Sequence, residues 1–225
     1  MKFFTTTILI VCFTAGLYQD AVAGSCYATT DCVKEDGLQK TETRRVDPFD
    51  SVDIKGSFNV TIIRGRHYSL ELACDVNFLP YISTDVQNKK LIIFPKKSIC
   101  ATKEIKIVIF APDVRKINAS GSSHISMNDI DSQSLSVSLD GAGDITLSGD
   151  AKSLEARLSG ANGLDAKTLK TEKTSISIAG SSDASVYASE ALEVNISGVG
   201  GLLYYGNPKT VSKDISGIGE IKAAK

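Results

Sequence analysis

The heptapeptide SGSSHIS (Ser120–Ser126) is the first of six copies of one pattern, in which a small polar residue and a glycine lead into a polar corner. The other copies are DGAGDIT (140–146), SGANGLD (159–165), AGSSDAS (179–185), SGVGGLL (197–203) and SGIGEIK (216–222). Their glycines, which lie 18 to 20 residues apart, are Gly121, Gly141, Gly160, Gly180, Gly198 and Gly217. A period of this length is typical of a solenoid, in which each repeat forms one coil stacked on the next.

Apolar and polar residues alternate on both sides of each glycine, as they do in half-buried β-strands. The positions four and two before the glycine, and four and six after it, are mainly aliphatic. The column two before the glycine, for example, holds Ala119, Leu139, Leu158, Ile178, Ile196 and Ile215. The sequence therefore predicts an all-β fold, a single-stranded, right-handed parallel β-helix (β-solenoid) with about 19 residues per regular coil.

The corner and the last coil carry further expectations. Two residues after each glycine stand Ser123, Gly143, Asn162, Ser182, Gly200 and Gly219, and the glycines and the asparagine in this set predict a positive φ there. In the last coil Lys213 occupies an inward position, and Lys222 and Lys225 add charge. We expect these lysines to discourage pairing along the open edge of the final coil.

The amino terminus predicts export. Lys2, an apolar stretch over 8–17 and a small-x-small site at 21–23 have the layout of a secretory signal, so residues 1–23 are predicted to be a cleaved signal peptide. No later segment has the length and apolarity of a membrane span. The periplasm, the cell surface and the extracellular space stay open as destinations, with Cys26 as a candidate lipid anchor. A cysteine-containing segment is predicted over 24–46, and the solenoid domain over 47–225, with irregular coils to about 112 and regular coils over 113–222.

Four cysteines remain after the signal peptide, Cys26, Cys32, Cys74 and Cys100, and an even set in an oxidising compartment indicates disulfides. Three pairings are open. We favour Cys26 with Cys32 and Cys74 with Cys100, because each pair lies within one local segment. A zinc site is disfavoured, since no Cys-x-x-Cys pair exists and His67 and His124 are the only histidines.

Composition argues against nucleic-acid binding and catalysis. Proteins that bind nucleic acids usually have an excess of basic residues, whereas this chain has a formal net charge of -1. Two histidines and no Gly-x-Ser-x-Gly elbow offer no nucleophilic triad, and no cofactor motif is present. Asp144 and Asp183 stand at equivalent corners two coils apart, about 10 Å, which is too far to share one metal ion. We therefore predict no metal site and no cofactor.

Tyr187 and Tyr205 are the candidate binding residues. Both lie seven residues after their glycine, on neighbouring coils, so their rings are expected one strand spacing apart. Aromatic rings on a solenoid flank can bind sugars. They can equally form a cross-strand ladder that only stabilises the coils, and both interpretations stay open.

The chain before the repeats contains FDSVDIKGSFNVTIIRG (49–65), KLII (90–93) and IKIVI (105–109), and YGNP (205–208) follows near the end. In this order the segments resemble the bacterial putative autotransporter adhesin head domain, the GIN domain, a family of unknown function. The resemblance runs from about residue 46 to the end. It implies an exported right-handed β-solenoid with an adhesin-like role.

Three functional hypotheses follow. The first is an exported, non-enzymatic, adhesin-like binding protein of the bacterial envelope or surface, whose flanks bind a glycan or a protein surface. The second is a carbohydrate-active enzyme of the β-helix type, a polysaccharide lyase or hydrolase. The third is a structural envelope protein that self-associates through its coils.

Overall fold

The computed structural model describes residues 31–224, and in this range about 73% of the chain is β-strand and none of it is α-helix. The one helical element described is a three-residue 3-10 helix, Leu79–Tyr81. The strands are β1 (Val33–Lys34), β2 (Gln39–Arg45), β3 (Ser51–Gly56), β4 (Asn59–Arg64), β5 (Ser69–Asp75), β6 (Ile82–Gln87), β7 (Lys90–Pro95), β8 (Ile99–Cys100), β9 (Lys106–Ala111), β10 (Lys116–Gly121), β11 (His124–Gly180), β12 (Asp183–Tyr187), β13 (Ala191–Ile196), β14 (Val199–Tyr205), β15 (Thr210–Ile215) and β16 (Ile218–Ala223). The all-β prediction is confirmed.

Fourteen of these strands form one curled sheet, and β1 pairs separately with β8. In the second half of the chain, residues 113–224, every pairing between named strands is parallel and follows the repeat. Gly121 stands opposite Gly141, and Ile176 stands opposite Val194. The same register continues from β13 to β15 and from β14 to β16. Equivalent residues of successive repeats are therefore neighbours in the sheet.

The predicted apolar columns form the core of this half. In the column two before the glycine, Leu139, Leu158 and Ile178 are buried. The last member of the column, Ile215 in the final coil, is not buried and is 41% exposed. Burial therefore requires a coil on each side, as expected for stacked units that have no core of their own.

The backbone of the corner differs from the expectation. Positive φ occurs at four of the six repeat glycines, for example +104° at Gly121 and +122° at Gly141, but not at Gly198 or Gly217, and at none of the positions two residues after the glycines. Close stacking requires glycine at all six positions, since a Cβ on Gly141, for example, would lie 2.5 Å from the carbonyl oxygen of Gly121. The position two residues later is instead a buried polar corner. Ser182 Oγ, for example, donates to the carbonyl of Gly160 at 3.2 Å.

The first half, residues 31–112, joins the same stack but is not a set of larger solenoid coils. β3 and β4 pair in parallel with β10 and β11, which makes the two halves one sheet. The prediction of parallel coils throughout is wrong, because β2, β5 and β9 pair antiparallel and so do β6 and β7. Asn88 and Lys89, both with positive φ, form a two-residue hairpin turn between β6 and β7. Such a turn forces the chain to reverse, so the sheet is mixed.

The favoured disulfide pairing is also wrong. Cys32 bonds Cys100, across 68 residues of sequence. The bond forms because β1 and β8 pair in parallel with Val33 opposite Ile99, and Cys32 directly precedes this pair on one strand while Cys100 directly follows it on the other. Cys74 is a buried free thiol on β5, and burial raises its pKa to about 11. Cys26 lies outside the described residues, as do the predicted signal peptide and lipid anchor.

Within residues 31–224 no helix has the length and apolar character needed to cross a membrane.

Candidate functional site

One outward column of the second half alternates acidic residues with glycine. It lies three residues after each repeat glycine and contains His124, Asp144, Gly163, Asp183, Gly201 and Glu220. Each member begins or lies in the strand that follows the corner, so the side chains project from one flank of the stack. Within the column, His124 Nε2 lies 3.2 Å from Asp144 Oδ2. Asp183 Oδ1 accepts a hydrogen bond of 2.7 Å from the N–H of Gly201.

The glycines of this column leave room for the carboxylates above them. A Cβ on Gly201 would lie 3.0 Å from Asp183 Oδ1, and a Cβ on Gly163 would overlap Asp144 Oδ1. Each carboxylate therefore packs against the glycine of the neighbouring coil instead of extending into solvent. The glycine in turn forms a notch between two acidic side chains. The alternation of acid and glycine thus produces a recessed, negatively charged strip.

This strip is part of a groove of about 510 Å³ that runs across the coils from Asp144 to Lys222. We call it the acidic groove. Its charged lining residues are Asp144, Asp165, Asp183, Glu220 and Lys222. Lys222 Nζ lies 2.7 Å from Glu220 Oε2, so the one cation of the groove is already paired. Uncharged lining side chains include the hydroxyls of Thr146 and Ser185. The groove can therefore accept hydrogen bonds along its length.

Lys167 stands next to the acidic groove and partly neutralises it. Its Nζ lies 2.8 Å from Asp165 Oδ2. The hydrogen bond that Lys167 donates to Asp165, together with the charge of that carboxylate, raises the pKa of Lys167 above its usual value. The phenol of Tyr205 adds a smaller effect in the same direction. Lys167 is therefore held as a cation beside Tyr205.

The two candidate tyrosines are neighbours in the sheet. Tyr187 on β12 stands opposite Tyr205 on β14, and both side chains are half-buried. A Cβ on Gly206 would lie 2.8 Å from the ring of Tyr187, which shows that this ring covers the Gly206 backbone. Tyr187 also lines a second groove of about 390 Å³, whose charged residues are Asp131, Asp150, Lys152, Lys170 and Glu172. The tyrosine pair therefore lies outside the set of residues that lines the acidic groove.

Sequence reasoning weighed the acidic corners as metal ligands against solvated turn carboxylates, favoured the latter, and so missed the groove. Among residues 31–224, no group of three or more His, Cys, Asp or Glu side chains is arranged to hold a metal ion. The signal that could have predicted the groove is the alternation of carboxylate and glycine in one outward column. Asp165 and Lys222, which stand two residues further along their strands, complete the lining.

Comparison with known proteins places this geometry in a family. The sequence profile described as the putative auto-transporter adhesin, head GIN domain, matches residues 48–208. No curated protein matches the chain.

Solved structures show the same fold. A putative adhesin from Bacteroides fragilis is 22% identical, with a TM-score of 0.73, and the match covers 85% of this chain and 100% of that one. A putative adhesin from Parabacteroides distasonis is 19% identical, with a TM-score of 0.55 and coverage of 86% and 100%. A putative lipid binding protein from Parabacteroides distasonis is 22% identical, with a TM-score of 0.54 and coverage of 86% and 99%. Because the family profile spans most of the chain, this protein belongs to the family of the putative auto-transporter adhesin head GIN domain.

Proposed function

We propose that this chain is an exported, non-enzymatic, adhesin-like protein of the bacterial envelope or surface, and that it binds a glycan along the acidic groove. The observation that carries the proposal is the groove itself. Its acidic side chains are spaced by notches at Gly163 and Gly201, so a ligand chain lying across the coils meets a repeated set of acceptors. Successive coils are about 4.8 Å apart, a spacing close to the length of one hexose unit in an extended polysaccharide.

The charge of the acidic groove selects among glycans. Four carboxylates and one paired lysine line it, so an anionic polysaccharide would be repelled. Hydroxyl groups and protonated amino groups are donors and match the carboxylate acceptors. We therefore expect neutral glycans or amino-sugar glycans to bind, and uronic-acid polymers to be rejected.

The same charge argues against the enzymatic alternative for acidic substrates. A lyase or hydrolase acting on acidic polysaccharides needs cations to hold the substrate carboxylates. Lys222 is paired with Glu220, and the neighbouring Lys167 is paired with Asp165. Activity on such substrates is thus not part of the proposal.

We also propose the finer architecture. The parallel register at offsets of 18 to 20 residues supports a right-handed β-solenoid over 113–222, because parallel crossovers of this kind are almost always right-handed. The signal peptide over 1–23 and a lipid anchor at Cys26 remain proposals. The role of Tyr187 and Tyr205 as a sugar-stacking pair also remains a proposal. It would give the glycan a second contact with the protein, in the groove that Tyr187 lines.

A glycan array with the mature chain, residues 24–225, tests the proposal. We expect signals from neutral or amino-sugar glycans, and an affinity at least ten-fold lower in the double variant Asp144→Asn with Asp165→Asn. The matched control is Glu155→Gln with Glu193→Gln, which removes the same charge on a different face. Unchanged binding in the groove variant, or equal loss in both variants, would contradict the proposal, and so would signals confined to acidic glycans.

A further inference from the structure

The last coil leaves an edge of the sheet unpaired among the residues described. β15 pairs with β13 and β16 pairs with β14, each along one side only. The opposite end of the sheet finishes in the antiparallel strands β2 and β6. Exposed apolar side chains also concentrate at the last two coils, where Ile218 is 75% and Val199 is 51% exposed. An edge with free backbone groups and exposed apolar side chains is a template for another strand.

The backbone of β16 shows which residues face this edge. The N–H of Ile218 donates to the carbonyl of Gly198, and the N–H of Ala224 donates to the carbonyl of Tyr204. Backbone groups alternate in direction along a strand, so those of Gly219, Ile221 and Ala223 point the other way, toward the open edge. In agreement, Lys213 Nζ reaches the Ile221 carbonyl from the open end, at 3.5 Å.

The charges of β16 are complementary to those of a second, antiparallel copy. A two-fold axis through Ile221 places Ile221 opposite itself and Gly219 opposite Ala223, which pairs all the edge-facing groups. On the outer face, this register puts Glu220 opposite Lys222 of the second copy, twice. The registers centred one residue away place Glu220 opposite Glu220, or Lys222 opposite Lys222, and like charges directly opposite are destabilising. Only the register centred on Ile221 opposes unlike charges.

We propose that β16 pairs antiparallel with β16 of a second copy of this chain, to form a two-fold dimer centred on Ile221. The contact covers the edge next to Ile218 and satisfies the edge-facing backbone of Gly219, Ile221 and Ala223. The exposed Lys213 ammonium lies 5.5 Å from the centre of the Tyr204 ring and 3.5 Å from the Ile221 carbonyl, so it must move off that carbonyl when the second copy pairs there.

The dimer has a consequence for the acidic groove, which rests on the proposed glycan function. Glu220 and Lys222 lie at the last-coil end of the groove. Pairing of the two β16 strands therefore joins two grooves end to end, and doubles the length of polysaccharide that one assembly can hold. The dimer itself requires no glycan, so its test is independent of ligand binding.

Sedimentation equilibrium of residues 24–225 across a concentration series tests the dimer. We expect Lys222→Glu to raise the dimer dissociation constant at least ten-fold, because it places Glu opposite Glu twice. The double swap Glu220→Lys with Lys222→Glu restores the unlike pairs and is expected to restore the dimer. Lys152→Glu, the same charge change on an exposed residue of another face, is the control. Thermal unfolding of each variant checks that it is folded.

Three outcomes would overturn the proposal: a monomer at all concentrations, a dimer unaffected by Lys222→Glu, or a double swap that stays monomeric. Open-ended filaments would also overturn it, because a two-fold contact closes on itself. Should Lys222→Glu fail to fold, Ile221→Cys decides the question in a Cys26→Ser background. A disulfide between the two 221 positions supports the dimer, and its absence under oxidation of the folded chain rejects it.

Discussion

The two halves of the molecule share one sheet, but their strands are connected and paired in different ways. In the second half each coil returns to the position of the previous one, and the strands pair in parallel with a constant register. The first half reverses direction at tight turns and ends in antiparallel strands. A repeated sequence can only extend its stack, because each coil presents the same edge as the last. Ending the stack requires a different local sequence, such as the Asn88–Lys89 turn.

The halves also differ in what holds them together. The second half depends on close contact between identical coils, which the glycine column permits. The first half uses specific links between distant segments. Cys32 bonds Cys100, and Arg44 Nη1 and Nη2 donate to the carbonyls of Ile82 and Leu79 at 2.6 and 2.8 Å. A repeat is therefore sensitive to any change in the shared column, whereas the first half is sensitive to a few individual residues.

The largest expected effect comes from adding a side chain to the glycine column. Gly141→Val combines a positive φ with a Cβ 2.5 Å from the Gly121 carbonyl, and we expect it to lower the free energy of unfolding by roughly 4 kcal/mol. Gly37→Val is the control in the first half, since Gly37 also has positive φ but no atom near its Cβ position. We expect a loss of about 1 to 2 kcal/mol there. Urea unfolding measures both, and equal losses would remove the distinction between the halves.

A second comparison lies within one apolar column. Leu158→Ala empties a buried position between two coils, and we expect a loss of about 3 kcal/mol. Ile215→Ala changes the same column in the last coil, where the side chain is partly exposed, and we expect less than about 1 kcal/mol. Chemical denaturation of the two variants checks this. A similar loss at both positions would mean that the last coil is covered in solution.

Removal of the disulfide is expected to affect only the first half. The double variant Cys32→Ser with Cys100→Ser removes a covalent link between residues 68 positions apart. We expect it to lower the free energy of unfolding by about 2 to 3 kcal/mol. Amide hydrogen exchange should increase in β1 and β8 and stay unchanged in β12 to β16. Faster exchange throughout the repeats would show that the two halves unfold as one unit.

The smallest expected effect depends on pH. Burial favours a higher pKa for Asp75, but N–H bonds from Asp36, Asn77 and Gly37 outweigh it and hold the pKa below its ordinary value of 3.8. The lowered pKa means that Asp75 stabilises the fold above pH 3.8 and that this contribution is lost as the pH falls through the folded-state pKa. Asp75→Asn should therefore be less stable than wild type at pH 6, with a difference that shrinks in acid. Asp214→Asn, on an exposed strand, should show no such trend.

The sequence was sufficient for the repeats because their evidence is local and repeated. Each coil has the same alternation around its glycine, so an error in one copy does not change the register. The prediction that Leu139, Leu158 and Ile178 face the core is confirmed for this reason. The first half has no second copy to compare. Its short apolar strands fit parallel or antiparallel pairing equally well, and the two-residue turn at Asn88 was not recognised.

The candidate site was only partly accessible from sequence. Alternation predicts which residues face outward, and so it placed Asp144 and Asp183 on one flank. It does not show that Asp165 and Lys222 line the same groove, or that the Tyr187 ring covers Gly206. These contacts depend on side-chain direction across coils, which a one-dimensional pattern does not contain.

By itself the sequence determined the β-strand content, the repeat length and the apolar columns of the second half, because these follow from residue order within a single coil. Tertiary structure alone decided the Cys32–Cys100 bond, the mixed sheet of the first half and the recessed acidic groove. Each of these depends on which distant segments become neighbours in the folded sheet. That choice is made by packing and hydrogen bonding over the whole chain.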